Sequence, residues 1–302
     1  MEREQWLEER RKGIGGSDAA KVMGLSRWGG PFSVYQDKVN GVKAPVDSEA
    51  VHFGNVLEDV VAQEFSRREG VKVRRRNSMT FSEGYPFMMA NIDRELVGAK
   101  IGLECKTTSA YKSGEWEGDE LPDEYYVQVQ HYCSVMDWEG CWIACLIGGQ
   151  RFVYKYVPRN ESFIGDMIAQ ERDFWEGHVI PQNPPPIGLF DENIVGLMGQ
   201  EDRTVLEPTP EDMELARELS GVRAAYGELE TRKKALELVL KGRIGEHLGL
   251  DGIATWNTTR PSLVTDWEAV AKELAPSAEL IEKHTTRKEG IRRFLFKFKE
   301  AV

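Results

Sequence analysis

The 302-residue sequence predicts an α/β protein, a mixed central sheet flanked by helices, followed by a mainly helical C-terminal extension. Three observations carry that expectation. Residues 71–107 read as three strands in a meander that closes on a hairpin, Asn91–Lys106, around a glycine-containing turn. An amphipathic helix precedes the meander, and a second helix separates it from two further strands. Beyond Pro184-Pro185-Pro186 the pattern changes to leucines spaced alternately by four and three. The chain is therefore expected to divide into a domain at 1–186 and an extension at 187–302.

Taken in order, residues 2–12 form a charged helix closed by Arg10-Arg11-Lys12-Gly13. Ile14–Gly24 is a double-glycine turn running into a helix, with Ser17 or Asp18 suited to the N-cap. Such a turn offers free backbone N–H groups and a favourable dipole, which also makes it a phosphate seat; Ser17 and Arg10 would add donors. A short helix spans 31–40 and a polar linker 41–50. In His52–Phe65, Leu57, Val60, Val61 and Phe65 make a core-facing stripe, and Glu58 sits at its edge. Strands are expected at 71–82, 87–93 and 100–107, with Gly84–Pro86 as the first turn. Residues 109–122 are polar and glycine-rich and read as a mobile loop. A helix over 123–136, strands over 141–147 and 151–157 and a helix over 162–175 complete the domain. In the extension, Leu215 to Leu240 is a coiled-coil-like helix weakened by Gly221, Gly227 and Gly242, its seam suited to packing within the chain or to a partner. Strand-like pieces at 252–257 and 292–299 flank a helix at 267–274.

Composition narrows the function. Hydrophobic content of 41% and charged content of 29% are ordinary for a soluble globular protein. No apolar run approaches a membrane span and Met1–Trp6 has no signal-peptide core, so a cytoplasmic protein is expected. Cys105, Cys133, Cys141 and Cys145 include no CxxC pair and read as reduced, buried thiols. The five histidines are scattered, which weighs against zinc and histidine-metal nuclease chemistry. Net charge is −11, yet residues 67–76 hold six Lys or Arg against Glu69 alone, and residues 283–300 hold seven against Glu289 and Glu300. Either run suits a solvated face or a phosphate-facing stripe.

The hairpin concentrates the chemistry. Asp93 leaves its first strand, and Glu104 and Lys106, two apart on the second, share one face while Leu103 and Cys105 take the other. Two carboxylates and an ammonium thus converge at one end of a sheet. Carboxylates bind a hard cation such as Mg²⁺ through oxygen, the ion activates water and screens phosphate, and the lysine holds the water or stabilises developing charge.

Asp93 with Glu104-Cys105-Lys106 resembles the Asp…Glu-x-Lys core of the PD-(D/E)xK nucleases, which have a restriction-endonuclease-like fold. Three further motifs fall with these in the order of the lambda-exonuclease-like, or YqaJ-type viral recombinase, branch: Arg10 with Ile14-Gly-Gly-Ser17 and Phe53–Glu58 before Asp93, and Gln128-x-x-x-Tyr132, preceded by Tyr125, after the Glu-x-Lys. The resemblance covers about residues 6–180. It departs from that branch at Ile92-Asp93-Arg94, where Pro-Asp-Gly is common.

The resemblance implies roles. Asp93, Glu104 and the Cys105 carbonyl would ligate the principal Mg²⁺, and Glu58 would serve a second ion, with Mn²⁺ able to substitute. Lys106 and Gln128 would orient the attacking water, Arg10 and Ser17 would hold a 5′-phosphate, and Tyr125 and Tyr132 would lie along the DNA. No cluster-binding cysteine spacing is present. The implied activity is a phage- or prophage-type exonuclease that resects linear duplex 5′-to-3′. Its 3′ overhangs would feed a single-strand annealing recombinase, and ring trimers occur in the branch. The rivals are an endonuclease or RecB-like nuclease without end selectivity, and a non-catalytic DNA-binding or assembly module.

Overall fold

The structure, a computed structural model, describes residues 3–42, 48–76, 78–197 and 204–286. It divides into two compact units, Met1–Gly199 and Gln200–Val302. The first unit runs past the proline triplet because a short 3₁₀ segment, Leu189–Asp191, is tied to it. Asp191 accepts from the backbone N–H groups of Gly30 (2.8 Å) and Ser33 (2.9 Å) and so caps the helix that begins at Pro31.

The first unit opens with α1 (Arg3–Arg11), α2 (Gly16–Val22), α3 (Pro31–Tyr35, extended by a π-helical turn to Asn40) and α4 (Glu49–Glu69). The cap of α2 is Gly15, in extended backbone, rather than Ser17 or Asp18; Asp18 instead reaches back from the first turn to accept from Gly15 N–H at 3.3 Å. In α4, Val61, Ala62 and Phe65 are buried and Val60 is half exposed, so the core-facing stripe is rotated from the one expected.

The meander is more broken than expected. β1 (Val73–Arg75), β4 (Arg94–Leu96), β5 (Ile101–Thr108), β6 (Gly140–Ile147) and β7 (Arg151–Pro158) form one sheet in the order β1-β4-β5-β6-β7. β2 (Thr80–Phe81) and β3 (Met89–Ala90) pair as a separate ribbon, so the strand expected at 71–82 is divided between β1 and β2, and the one expected at 87–93 is reduced to β3, with β4 starting only after Asp93. The β4–β5 and β6–β7 pairs are antiparallel, and β5–β6 is parallel, crossed by α5 (Asp123–Met136). A parallel pair needs such a crossover. Residues 109–122 are partly ordered as a 3₁₀ helix, Ala110–Trp116, because Trp116 is buried against Tyr125 with ring centroids 5.7 Å apart.

Both faces of the sheet are covered. On one, α4 packs Val61 and Phe65 with Leu96, Leu103 and Ala144. On the other, α2, α5 and α6 (Glu161–Phe174) enclose Ala19, Val127, Tyr132, Ile143 and Met167. The buried His131 joins α5, α6 and β3, with Nδ1 2.8 Å from Glu171 and Nε2 2.9 Å from the Met89 carbonyl. Burial alone would lower the imidazole pKa, but Glu171 outweighs it and raises the value. The unit closes with α7 (Glu192–Val195).

The second unit holds α8 (Pro210–Ile244), the hairpin β8 (Gly249–Leu250) and β9 (Ala254–Thr255), α9 (Trp267–Leu274) and α10 (Ala278–Lys283). Thr209 caps α8 by accepting from Asp212 N–H at 3.1 Å, and Leu215, Val222, Tyr226, Leu229 and Leu236 along it are exposed. The strand expected at 292–299, and most of the basic run that contains it, lie outside the described residues. No described helix is long and apolar enough to cross a membrane.

Trp138 covers β5 at Gly102, where a Cβ would meet its ring at 2.0 Å. Gly102→Ala should destabilise the domain by about 1–3 kcal/mol, lowering Tm by roughly 2–4 °C per kcal/mol. An unchanged melting curve would contradict this packing.

Candidate active site

β5 delivers the site. Its alternation sends Leu103 and Cys105 toward α4 and leaves Glu104 and Lys106 on the opposite face, toward α5. Asp93 immediately precedes β4, and its Oδ2 accepts from Cys105 N–H at 2.9 Å. The β4–β5 pairing ends at Arg94–Leu103, so the carboxylate satisfies a β5 N–H beyond that pairing.

One turn of α5 completes a closed network. Lys106 Nζ donates to Glu104 Oε1 (2.6 Å) and Gln128 Oε1 (3.0 Å); Gln128 Nε2 donates to Glu104 Oε1 (2.8 Å) and Tyr132 OH (2.9 Å). Tyr132 OH donates on to the Asn91 carbonyl at 3.1 Å. The spacing of four between Gln128 and Tyr132 puts both on one helix face. Every polar atom of this set is then bonded except Glu104 Oε2, which is buried with no partner among the described residues. Glu171 Oε2 is the other such oxygen, on a carboxylate that faces the buried His131.

Electrostatics single out the same spot. Burial, and after it Glu104, pushes the Asp93 carboxyl well above the usual carboxylate range, against the opposing pull of Lys106. Burial would lower the Lys106 ammonium, but Glu104 and Asp93 outweigh it and raise it above the ordinary lysine value. Burial also pushes the Cys105 thiol far above its normal range, and its side chain lies on the α4 face of the sheet, away from Glu104. Two crowded carboxylates with one orphaned buried oxygen fit a hard divalent cation.

The other expected residues are placed as follows. Lys106 lies over the Tyr125 ring at 4.9 Å, and Tyr125 is half buried beside the network. Tyr132 is buried with its hydroxyl committed internally, so it supports Gln128 rather than meeting DNA. Glu58 is brought near but engaged: its Oε1 accepts from Arg94 Nη1 (2.5 Å) and Arg75 Nη2 (2.8 Å). A cavity of about 340 Å³ opens beside Asp93, lined by Trp6, Glu58, Arg75, Arg76 and Asn91.

Arg10 and Ser17 meet as expected, Nη2 to Oγ at 3.0 Å, with Trp6 under the guanidinium at 5.4 Å. Sequence reasoning missed what holds them. Arg10 also contacts Asp18 Oδ1 (3.3 Å), and the buried Lys38 bonds Asp18 Oδ2 (2.7 Å) and the Arg10 carbonyl (2.9 Å). Burial would raise the Asp18 carboxyl, yet Lys38 and then Arg10 hold it far below the usual range. The neighbouring Gly-Gly-Ser motif flagged Asp18 only as a cap, and nothing local flagged Lys38. This cluster abuts the network: a Cβ on Gly16 would fall 2.6 Å from the Tyr132 ring and 3.1 Å from Gln128 Cγ. Five arginines of the first basic run are ion-paired on three carboxylates, Arg67 and Arg68 on Glu64, Arg74 and Arg76 on Glu95 and Arg75 on Glu58.

Comparisons with known proteins bear on the family and the fold. The model of the YqaJ-like viral recombinase domain matches residues 5–139. The protein YqaJ of Bacillus subtilis (strain 168) is 39% identical over 248 residues, 80% of this chain and 78% of that one. Protein R354 of Acanthamoeba polyphaga mimivirus is 24% identical over 199 residues, 61% of this chain but 32% of that one. The crystal structure of an alkaline exonuclease, LHK-Exo from Laribacter hongkongensis, superposes with a TM-score of 0.52 at 14% identity, covering 60% of this chain and 94% of that one. The fold is thus the PD-(D/E)xK type that the motifs implied.

Asp93 supplies a pH signature for the metal-free protein. A carboxyl raised in the folded state contributes stability that is full below the unfolded value, near ~4, and is lost as pH rises through the folded value. In EDTA, Asp93→Asn should therefore be more stable than wild type near neutral pH, the gap closing toward pH ~4. Parallel stability curves for the two proteins would show that the pair is not crowded.

Proposed function

The chain belongs to the YqaJ-like viral recombinase family, and from that premise we propose that it is a metal-dependent deoxyribonuclease that digests linear duplex DNA from its 5′ end. The observation that carries this reading is the orphaned, buried Oε2 of Glu104 beside a second carboxylate that resists ionisation. Asp93, Glu104 and the Cys105 carbonyl would hold the ion. Oxygen donors of this kind suit Mg²⁺, with Mn²⁺ able to substitute. When bound, the ion supplies Lewis-acid activation of water and neutralises charge on the phosphate.

The chain's own groups do the rest. Lys106, whose ammonium form Glu104 and Asp93 favour, positions the attacking water with Gln128 and faces the developing charge on the phosphate. Tyr132 fixes Gln128 by accepting its second N–H. Arg10 and Ser17, steadied by Asp18 and Lys38, take the terminal 5′-phosphate beside the N-terminus of α2. Because that cluster packs directly on Gln128 and Tyr132, anchoring the end would determine which phosphodiester reaches the carboxylates. The resulting 3′ overhang is the substrate of a single-strand annealing recombinase.

Digestion of end-labelled linear duplex, 5′-phosphorylated or 5′-hydroxyl, tests the reading. Cleavage is expected with Mg²⁺ or Mn²⁺ and not with chelator, and Asp93→Ala should reduce it to background. Arg10→Ala should lower kcat/KM on phosphorylated ends about 10- to 100-fold, the worth of one charge-assisted contact, and leave hydroxyl ends little changed. Equal cutting of closed circles and linear ends would favour the endonuclease reading instead. Full activity of Asp93→Ala would remove the metal site from the reaction.

A further inference from the structure

Two guanidinium groups already face Glu58, both bonded through its Oε1. Arg94 Nη1 donates to Glu58 Oε1 at 2.5 Å and to the Asp93 carbonyl at 2.6 Å, and its Nη2 bonds Asp59. Arg75 Nη2 adds a further bond to Glu58 Oε1 at 2.8 Å. The Arg94 side chain is only 5% exposed, so its charge has no solvent to return to if Glu58 lets go.

Counting charges separates the site into two balanced halves. Glu58 and Asp59 carry two negative charges, met by the guanidinium groups of Arg75 and Arg94. Asp93 and Glu104 carry two more when ionised, and one divalent cation matches them. Lys106 is left as the positive group available to a phosphate. A second divalent ion at Glu58 would sit against two guanidinium groups, where like charges repel, and would have to displace a buried one.

We infer that this chain holds one divalent ion, not two, and that Arg94 with Arg75 supplies at Glu58 the fixed positive charge that a second ion would bring. The inference rests on the metal reading above. It also assigns a function to Arg75, which is half exposed and lines the cavity beside Asp93, where it presents its remaining N–H groups to the DNA phosphates. Arg94 acts as a positioning residue, keeping Glu58 engaged.

Mn²⁺ titration of the full chain by electron paramagnetic resonance, without DNA, measures this directly. Wild type should bind one site-specific ion, lost in Asp93→Asn and retained in Glu58→Gln. Arg75→Gln combined with Arg94→Met should gain a second ion, and adding Glu58→Gln should abolish it again. Two ions in wild type, one of them lost in Glu58→Gln, would overturn the inference while leaving the metal reading standing. Absence of any ion sensitive to Asp93→Asn would overturn both. Should the buried Arg94→Met fail to fold, the comparison of wild type with Glu58→Gln still decides the count.

Discussion

Two carboxylates, Asp93 and Glu104, share one buried corner, and much of the first unit can be understood as the means of holding them there. Burying even one carboxylate without a partner is costly, and burying two together is worse. Their proximity is sustained by specific bonds: Asp93 on the Cys105 N–H, Glu104 on Lys106 and Gln128. One oxygen is left over, Glu104 Oε2. In the proposed metal site a cation would relieve the repulsion and take up that oxygen, which accounts for an arrangement that is costly by itself.

The scaffold makes this geometry rigid. β5 lies inside the sheet, between β4 and β6, so neither edge of the strand that carries Glu104 and Lys106 is free. The α5 crossover demanded by the parallel β5–β6 pair brings Gln128 and Tyr132 against the same face. His131, also on α5, is pinned between Glu171 and the Met89 carbonyl, which ties that helix to α6 and β3. Each side chain of the network is thus held by an element that has little freedom to move.

The two proposed recognition features are also mechanically joined. Gly16, in the first turn of α2, allows the helix to lie directly on Tyr132 and Gln128, where any Cβ would collide. Asp18, one residue past Ser17, is clamped between Arg10 and the buried Lys38. A phosphate held by Arg10 and Ser17 would be registered against the carboxylates through one layer of contacts. On the far side of Asp93, the guanidinium groups of Arg75 and Arg94 surround Glu58, giving the cavity a charge pattern that net composition conceals.

Much of this was legible in the residue order alone. Short-range pattern is enough to read α5, β6, β7 and the hairpin that carries Asp93, Glu104 and Lys106, because helix and strand periodicities are local properties of the backbone. That Arg10 and Ser17 belong to one glycine turn was legible for the same reason, while the bond between them was not. Tertiary structure alone decided the rest. It split the expected meander into a sheet and a separate ribbon, moved the α2 cap to Gly15, turned Tyr132 inward, and brought Lys38 to Asp18 and Arg94 to Glu58. Those outcomes depend on which buried charge finds which counter-charge across tens of residues, and no local spacing encodes that choice.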